Sequence, residues 1–155
     1  FYPECVGPAS VDLHLSRAFR IFRSHRQIMS ISDDVNYRDI TDGKMLKEDE
    51  TMLLMPNETI LGMTEEKISL PDNICGWLEG RSKFARMGLL VHISASFMQP
   101  GICNHQVLEM SNFGPVPLKI VPGTPVCQFI FQRTIGNARY KGRFEFQNPE
   151  EFSSM

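Results

Sequence analysis

The sequence GWLEGRSKFARMGLLVHISASFMQPGICNHQVLEMSNFGPVPLKIVPGTPVCQFIF, residues 76–131, predicts the fold and holds most of the candidate functional residues. Its short apolar runs are separated by Pro100-Gly101, Gly114-Pro115 and Pro122-Gly123. Such pairs mark turns, because glycine adopts backbone angles closed to other residues and proline fixes its own. Strand-length apolar runs between frequent turns favour an all-β sandwich or barrel.

The same pattern extends over the rest of the chain. Ser10–Ser16 alternates apolar and polar residues, which is typical of a half-buried strand, and Ala18–Phe22 continues it. Residues 24–50 are polar and irregular, so we expect a long surface excursion there. One short helix is predicted near Ser82–Met87. Residues 136–155, called the tail below, are polar and either close over the domain or stay mobile.

Length and composition indicate a single globular domain over residues 1–155. The chain is 42% hydrophobic and 22% charged, near the averages for soluble proteins. Its net charge of −2 gives no electrostatic reason to expect nucleic acid or membrane as a partner. The four cysteines lack a paired spacing, which favours reduced thiols in a cytoplasmic protein. Because the chain starts at Phe1, we expect it to be truncated at its N-terminus.

A cation-rich segment follows Gly80 at a predicted strand-to-helix turn. It contains two arginines, a lysine and a serine, within Arg81–Arg86. Backbone N–H groups at such a turn, together with cations and a hydroxyl, can bind phosphate. A solvated basic turn is nevertheless the commoner fate of such a cluster, so the residues alone favour a surface interpretation.

A carboxylate, Glu109, lies inside the apolar run Gln106–Met110. Alternation along a strand places Val107 and Glu109 on one face. Burying an unpaired carboxylate is costly, so a buried Glu109 needs a partner or a chemical role. An edge-strand carboxylate that faces water is the plain alternative.

These segments resemble a known family, the dCTP deaminases of the dUTPase-like superfamily. Gly80–Leu89 is similar to their GRSS-x-x-R-x-G-L motif, and His92–Glu109 resembles H-x-T-A-x-x-I-D-P-G-x-x-G-x-x-x-L-E without a gap. Ser10–Leu15 is similar to an early S-V-D-L-R-L strand, and Tyr140–Gln147 to a Y-x-G-K-Y-x-x-Q tail. The likeness spans nearly the whole chain. It implies a distorted dUTPase-like β-barrel or jelly roll, with a tail that covers a nucleotide.

The resemblance implies an enzyme, a zinc-independent hydrolase that deaminates dCTP to dUTP and ammonia. It also implies a homotrimer with sites shared between subunits, and Mg²⁺ carried by the triphosphate. The ligands would be dCTP and dUTP, with dTTP as a further candidate. Other functions stay open: a dUTP diphosphatase, a bifunctional enzyme that carries dCTP to dUMP, and a non-catalytic deoxynucleotide-binding regulator.

The resemblance also assigns roles to individual residues. Glu109 takes the position of the proton-transferring glutamate, and Ser82 and Arg86 those of the groups that fix the glutamate and the attacking water. The implied substrate-binding residues are Arg81, Ser82, Lys83, Arg86, Ala95, Gln99, Val107, Tyr140, Arg143 and Gln147.

Several positions depart from the family's pattern. Gln99 replaces its aspartate and Asn104 its second glycine, while Lys83 stands for serine and Arg143 for lysine. The family's aspartate is assigned to the deoxyribose and, in the dUTPase branch, to the water that attacks the α-phosphate. Glutamine cannot act as a base near neutral pH. We therefore predict that dUTP accumulates and that no dUMP forms.

The histidines and cysteines do not predict a metal site. Cys103 and His105 are two positions apart, but no second pair completes a tetrahedral zinc set. The H-x-E and P-C-x-x-C motifs of zinc deaminases do not occur. We expect structural roles for these side chains, and for His92, and no protein-bound metal.

Overall fold

The computed structural model describes residues 3–24, 28–92 and 94–154, and β-strands dominate these ranges. The helical elements there are short: α1 (Ser82–Ala85), α2 (Pro149–Phe152) and 3₁₀ turns at Pro3–Cys5 and Tyr37–Ile40. The strands are β1 (Ser10–Phe22), β2 (Thr41–Met45), β3 (Met52–Leu54), β4 (Thr59–Ser69), β5 (Ile74–Gly80), β6 (Leu89–Val91), β7 (Phe97–Met98), β8 (Cys103–Asn112), β9 (Leu118–Ile120) and β10 (Pro125–Arg133).

The strands form one large curled sheet and one small sheet. The large sheet has the order β6-β8-β4-β1-β10-β5-β7, with β2 also paired to β1, and β3 pairs with β9. Strand β1 joins the two halves of the large sheet, since Ser10–Leu13 pairs with β10 and Phe19–Ile21 with β4. Its register shifts after Leu13 and again between Leu15 and Phe19, which lets the strand bend. The prediction of a mainly β fold is confirmed.

A continuous apolar core joins the two sheets. Leu15, Phe19, Leu54, Leu78 and Leu108 are each 0% exposed and belong to one buried cluster. Along β8 the even-numbered side chains are buried and the odd-numbered ones are partly exposed. The alternation predicted for this strand therefore holds, and it turns Glu109 away from the core.

The helix predicted near Ser82 is present as α1, but the prediction of a single helix is wrong. Helix α2 begins after Asn148, whose side chain accepts a hydrogen bond from the Glu151 backbone N–H at 2.9 Å. Pro149 occupies the first turn, where its missing N–H costs nothing. Phe152 is buried against Ala18, Leu61 and Met63, which explains why so short a helix persists.

The predicted surface excursion over residues 24–50 is only partly correct. Thr41–Met45 forms β2, which pairs with Ala18–Phe22 of β1. A Cβ at Gly43 would collide with the backbone of Ser153, so glycine permits the tail to pack on this strand. Residues 25–27 lie outside the described residues. Within the described ranges, no helix is long and apolar enough to cross a membrane.

Candidate active site

A cleft of about 480 Å³ opens beside β8, a volume within the range of small-molecule sites. Its walls come mainly from β8, from the chain between β6 and β8 and from the tail, with single residues from β1, β4 and the Tyr37–Ile40 turn. The lining residues are Phe22, Tyr37, Leu61, His92, Ala95, Phe97, Met98, Gln99, Ile102, Asn104, Gln106, Val107, Glu109, Tyr140, Phe144 and Gln147.

A bulge in β4 faces the part of β8 that lines this cleft. Met63 pairs with Val107 and Lys67 with His105, so residues 64–66 lie opposite the single residue Gln106. The Thr64 hydroxyl accepts from the Gln106 backbone N–H and donates to the Glu66 carbonyl, both at 2.9 Å. The buried backbone groups at the bulge are thereby satisfied. Bulges bend the strand that contains them. Along β8 itself the alternation is unbroken, and the cleft lining includes residues from both of its faces.

Glu109 and His92 lie side by side in the cleft. The Glu109 Oε2 atom is 2.9 Å from the His92 Nδ1 atom, and the side chains are 39% and 5% exposed. That separation fits an ion pair, yet the two atoms do not meet hydrogen-bond geometry. We treat the groups as adjacent but not bonded, because a hydrogen bond requires alignment as well as distance.

The polar atoms of this pair lack hydrogen-bond partners. Among the described residues, no group bonds to either ring nitrogen of His92 or to Oε2 of Glu109, although all three atoms are buried. His92 also has a φ of +56°, an uncommon backbone angle held by a 2.8 Å hydrogen bond from its N–H to the Glu109 carbonyl. Buried polar atoms without partners are costly, so they mark where a polar ligand or water is expected to bind.

The structure gathers part of the predicted site at this cleft. Glu109 lines it together with five predicted substrate-binding residues, Ala95, Gln99, Val107, Tyr140 and Gln147. Both Gln99 and Asn104, which depart from the family's pattern, lie in the same lining.

The predicted phosphate-binding residues lie elsewhere. Arg81 forms a 3.0 Å ion pair with Asp12 and donates to the Pro125 carbonyl at 3.0 Å. Arg143 donates to the Val35 carbonyl at 3.4 Å. The remaining members, Ser82, Lys83 and Arg86, are exposed on or beside α1. None of the five lines the Glu109 cleft of the same chain.

Sequence reasoning missed four lining residues with polar side chains: Tyr37, His92, Asn104 and Gln106. His92 was expected to be purely structural, although its place in the H-x-T-A motif was a signal. Asn104 was noted only as a departure from glycine. Strand alternation places Gln106 on the opposite face from Glu109, and its presence in the cleft lining has no evident sequence signal.

Two of the four cysteines have raised pKa values, which disfavours them as nucleophiles. All four are free. Burial raises the pKa of the Cys127 thiol to about 12, so it is protonated at neutral pH. The pKa of Cys5 is also raised, by burial and then by nearby carboxylates such as Glu4.

Solved structures with similar folds include a deaminase and a dUTPase. The 2′-deoxycytidine 5′-triphosphate deaminase of Agrobacterium tumefaciens aligns with a TM-score of 0.66 and 17% identity, over 86% of this chain and 42% of that chain. The EIAV dUTPase aligns with a TM-score of 0.50 and 18% identity, over 88% of this chain and 96% of that chain. These likenesses concern the fold alone, and they confirm the predicted dUTPase-like fold.

Sequence comparison identifies the family. A relative from Parafrankia sp. (strain EAN1pec), named dCTP deaminase, dUMP-forming, is 39% identical over 149 residues, which cover 92% of this chain and 74% of the relative. The family model described as dCTP deaminase-like matches residues 1–134. The chain therefore belongs to the dCTP deaminase-like family, as the resemblance predicted.

Proposed function

We propose that this chain hydrolyses the 4-amino group of dCTP. The observation that carries the proposal is the Glu109 carboxylate beside buried, unbonded His92 in a cleft that a nucleotide base can enter. In the reaction, water adds to C4 of cytosine and ammonia leaves. A single carboxylate can take a proton from the attacking water and pass it to N3, then take the proton of the new C4 hydroxyl and give it to the amine, so that the C4 carbonyl forms as ammonia leaves. We assign these transfers to Glu109, which lines the cleft.

The proposed enzyme is a homotrimer whose sites are shared between subunits. Within the described residues, the lining of the cleft contains Glu109 but no lysine or arginine. A nucleoside triphosphate carries several negative charges and is usually held by cations. The exposed side chains of Ser82 and Arg86 are available to a second copy of the chain. A neighbour that presents them to Glu109 supplies both the phosphate contacts and the groups that order the water.

The proposed magnesium ion arrives with the nucleotide. Among residues 3–24, 28–92 and 94–154, no group of three His, Cys, Asp or Glu side chains is arranged to hold a metal ion. Mg²⁺ is commonly bound through substrate phosphates and waters rather than in an all-protein cage. When bound it neutralises phosphate charge, and we assign the activation of water to Glu109 without zinc.

The proposal also specifies which nucleotide the enzyme releases. The Parafrankia relative is named dUMP-forming, and this favours a second candidate function in which pyrophosphate is also released. Gln99 favours the shorter reaction, because an amide lines the cleft where the family's pattern has a carboxylate. We propose dUTP and ammonia as the products, with dUMP formation as the alternative.

A paired assay tests both steps. The purified protein is incubated with dCTP and, separately, with dUTP, while ammonia and pyrophosphate are measured. We expect ammonia from dCTP and no pyrophosphate from either nucleotide. Rapid pyrophosphate release from dUTP would establish the dUMP-forming alternative. Nucleotide binding without either product would identify a regulator instead of an enzyme.

A further inference from the structure

Asn104 is a fully buried carboxamide at the floor of the cleft. It lies in β8, pairs with Ile68 of β4 and is 0% exposed. The family's pattern has a glycine here, so this side chain is a departure from that pattern. We propose that Asn104 is a positioning residue that fastens the tail over the cleft before a nucleotide binds.

The hydrogen bonds of Asn104 carry this proposal. Its Nδ2 group donates to the backbone carbonyl of Phe144 in the tail. Its Oδ1 atom accepts from Nε2 of Gln106, the residue opposite the β4 bulge. Because Gln106 supplies the donor, the Asn104 amide turns its own N–H₂ toward the tail. A glycine at position 104 could make neither bond.

Asn104 holds the part of the tail that lies directly over the cleft. The Tyr140 N–H donates to the Pro100 carbonyl at 2.8 Å, and the His105 N–H to the Gln147 carbonyl at 3.3 Å. Phe144 lies midway between these two attachments, and its side chain lines the cleft. The bond from Asn104 therefore closes the span between Tyr140 and Gln147.

The end of the tail is anchored independently of Asn104. The guanidinium of Arg20, a residue only 2% exposed, donates to the Phe152 carbonyl at 2.7 Å and to the Ser154 carbonyl at 2.9 Å. Loss of the Asn104 amide should therefore loosen the span 140–147 while α2 stays in place.

A tail that is attached before the nucleotide binds changes the KM for dCTP and the rate of product release. This consequence rests on the proposed function. A segment already ordered loses little conformational entropy when the ligand binds, so the substrate binds more tightly. The same bond slows the opening that releases product. Removing the amide should raise the KM for dCTP roughly five- to tenfold, the equivalent of about one hydrogen bond, and should not lower kcat.

Hydrogen exchange of the nucleotide-free protein tests the fastening without requiring turnover. We expect amides of residues 140–147 to exchange at least about fivefold faster in Asn104→Ala and in Asn104→Gly than in the unaltered protein. Asn112→Ala is the matched control, because Asn112 is also 0% exposed on β8 and donates to the Leu54 and Val116 carbonyls. It should lower the melting temperature and leave exchange of the tail unchanged.

The outcomes separate this inference from the proposed function. Unchanged tail exchange in both Asn104 variants, or an equal increase in Asn112→Ala, overturns the fastening role whether or not the protein turns over dCTP. Faster tail exchange with an unchanged KM overturns the kinetic consequence. Faster exchange together with a raised KM and a retained kcat supports both.

Discussion

The Glu109 cleft and the turn after Gly80 differ in the chemistry they offer. The cleft has apolar walls, four carboxamides and one carboxylate, whereas the turn presents exposed cations and a hydroxyl. One region can transfer protons and enclose a base, and the other can hold phosphate. Among the described residues, the cleft lining has no lysine or arginine, and the turn at residues 81–86 has no carboxylate. The contrast gives a physical reason for the shared sites that the resemblance implies, since one chain alone separates Glu109, the residue we propose for proton transfer, from the cations.

Removing the carboxylate should have the largest effect. Glu109→Gln keeps the size of the side chain and removes the base, so we expect ammonia release to fall about 100-fold or more while dCTP still binds. Turnover and nucleotide affinity are to be measured on the same preparation. Full activity in this variant would contradict the assignment of Glu109.

Removing a cation tests whether the two regions act together. Arg86→Ala should lower turnover by roughly 100-fold, because we propose Arg86 as the group that orders the glutamate and the water. If two subunits build each site, unfolding and refolding this variant together with Glu109→Gln should restore activity in roughly a quarter of the sites by random mixing.

The mixing experiment has a defined negative result. Each variant refolded alone serves as its control, and light scattering reports whether trimers form. Mixed trimers without any recovery of activity would place Glu109 and Arg86 in the same subunit's site or in no common site.

Restoring a carboxylate at position 99 tests whether Gln99 prevents pyrophosphate release in the cleft. Gln99→Asp places a base where the family's pattern has one, so we expect pyrophosphate release from dUTP to rise about tenfold or more. Gln99→Glu adds the same charge with a longer side chain and serves as the control. No increase in either variant would show that Gln99 does not limit the second reaction.

Removing Arg81, at the edge of the cation-rich turn, should have the smallest effect on dCTP turnover. Arg81 is already paired with Asp12, so its removal should raise the KM for dCTP only about fivefold. Binding of deoxycytidine, which lacks phosphates, should change less than about twofold. Equal losses for the nucleotide and the nucleoside would indicate a structural role. Thermal melting of Arg81→Ala measures the contribution of the pair with Asp12.

The sequence predicted those elements whose residues alternate between apolar and polar or match a recognisable motif. Strands β1 and β8 alternate clearly, and α1 follows a recognisable strand-to-helix turn. Helix α2 was missed although Asn148 and Pro149 are helix-start signals, because a four-residue helix has no apolar period to detect. Strand β2 was missed because most of its residues are polar and Gly43 lies in its middle, and pairing with β1 makes it a strand.

The site was predictable in composition but not in arrangement. Glu109 and Gln99 were identified because they lie in a motif, and the structure places both at one cleft. Nothing in the local sequence indicates that residues 64–66 bulge opposite Gln106, because register depends on the pairing of distant strands. The positions of Gln106 and Asn104 at the cleft therefore required the structure.

The β4 bulge also bears on how this gene can change in length. Residues 64–66 lie opposite one residue of β8, so β4 contains two extra positions. Side chains alternate with a period of two, so losing both extra positions would keep every inward-facing residue of β4 inward. Losing one position would move the inward-facing side chains on one side of the deletion to the outward face. Insertions and deletions tolerated at this point should therefore come in pairs of codons, and a two-codon deletion would straighten the strand opposite Gln106.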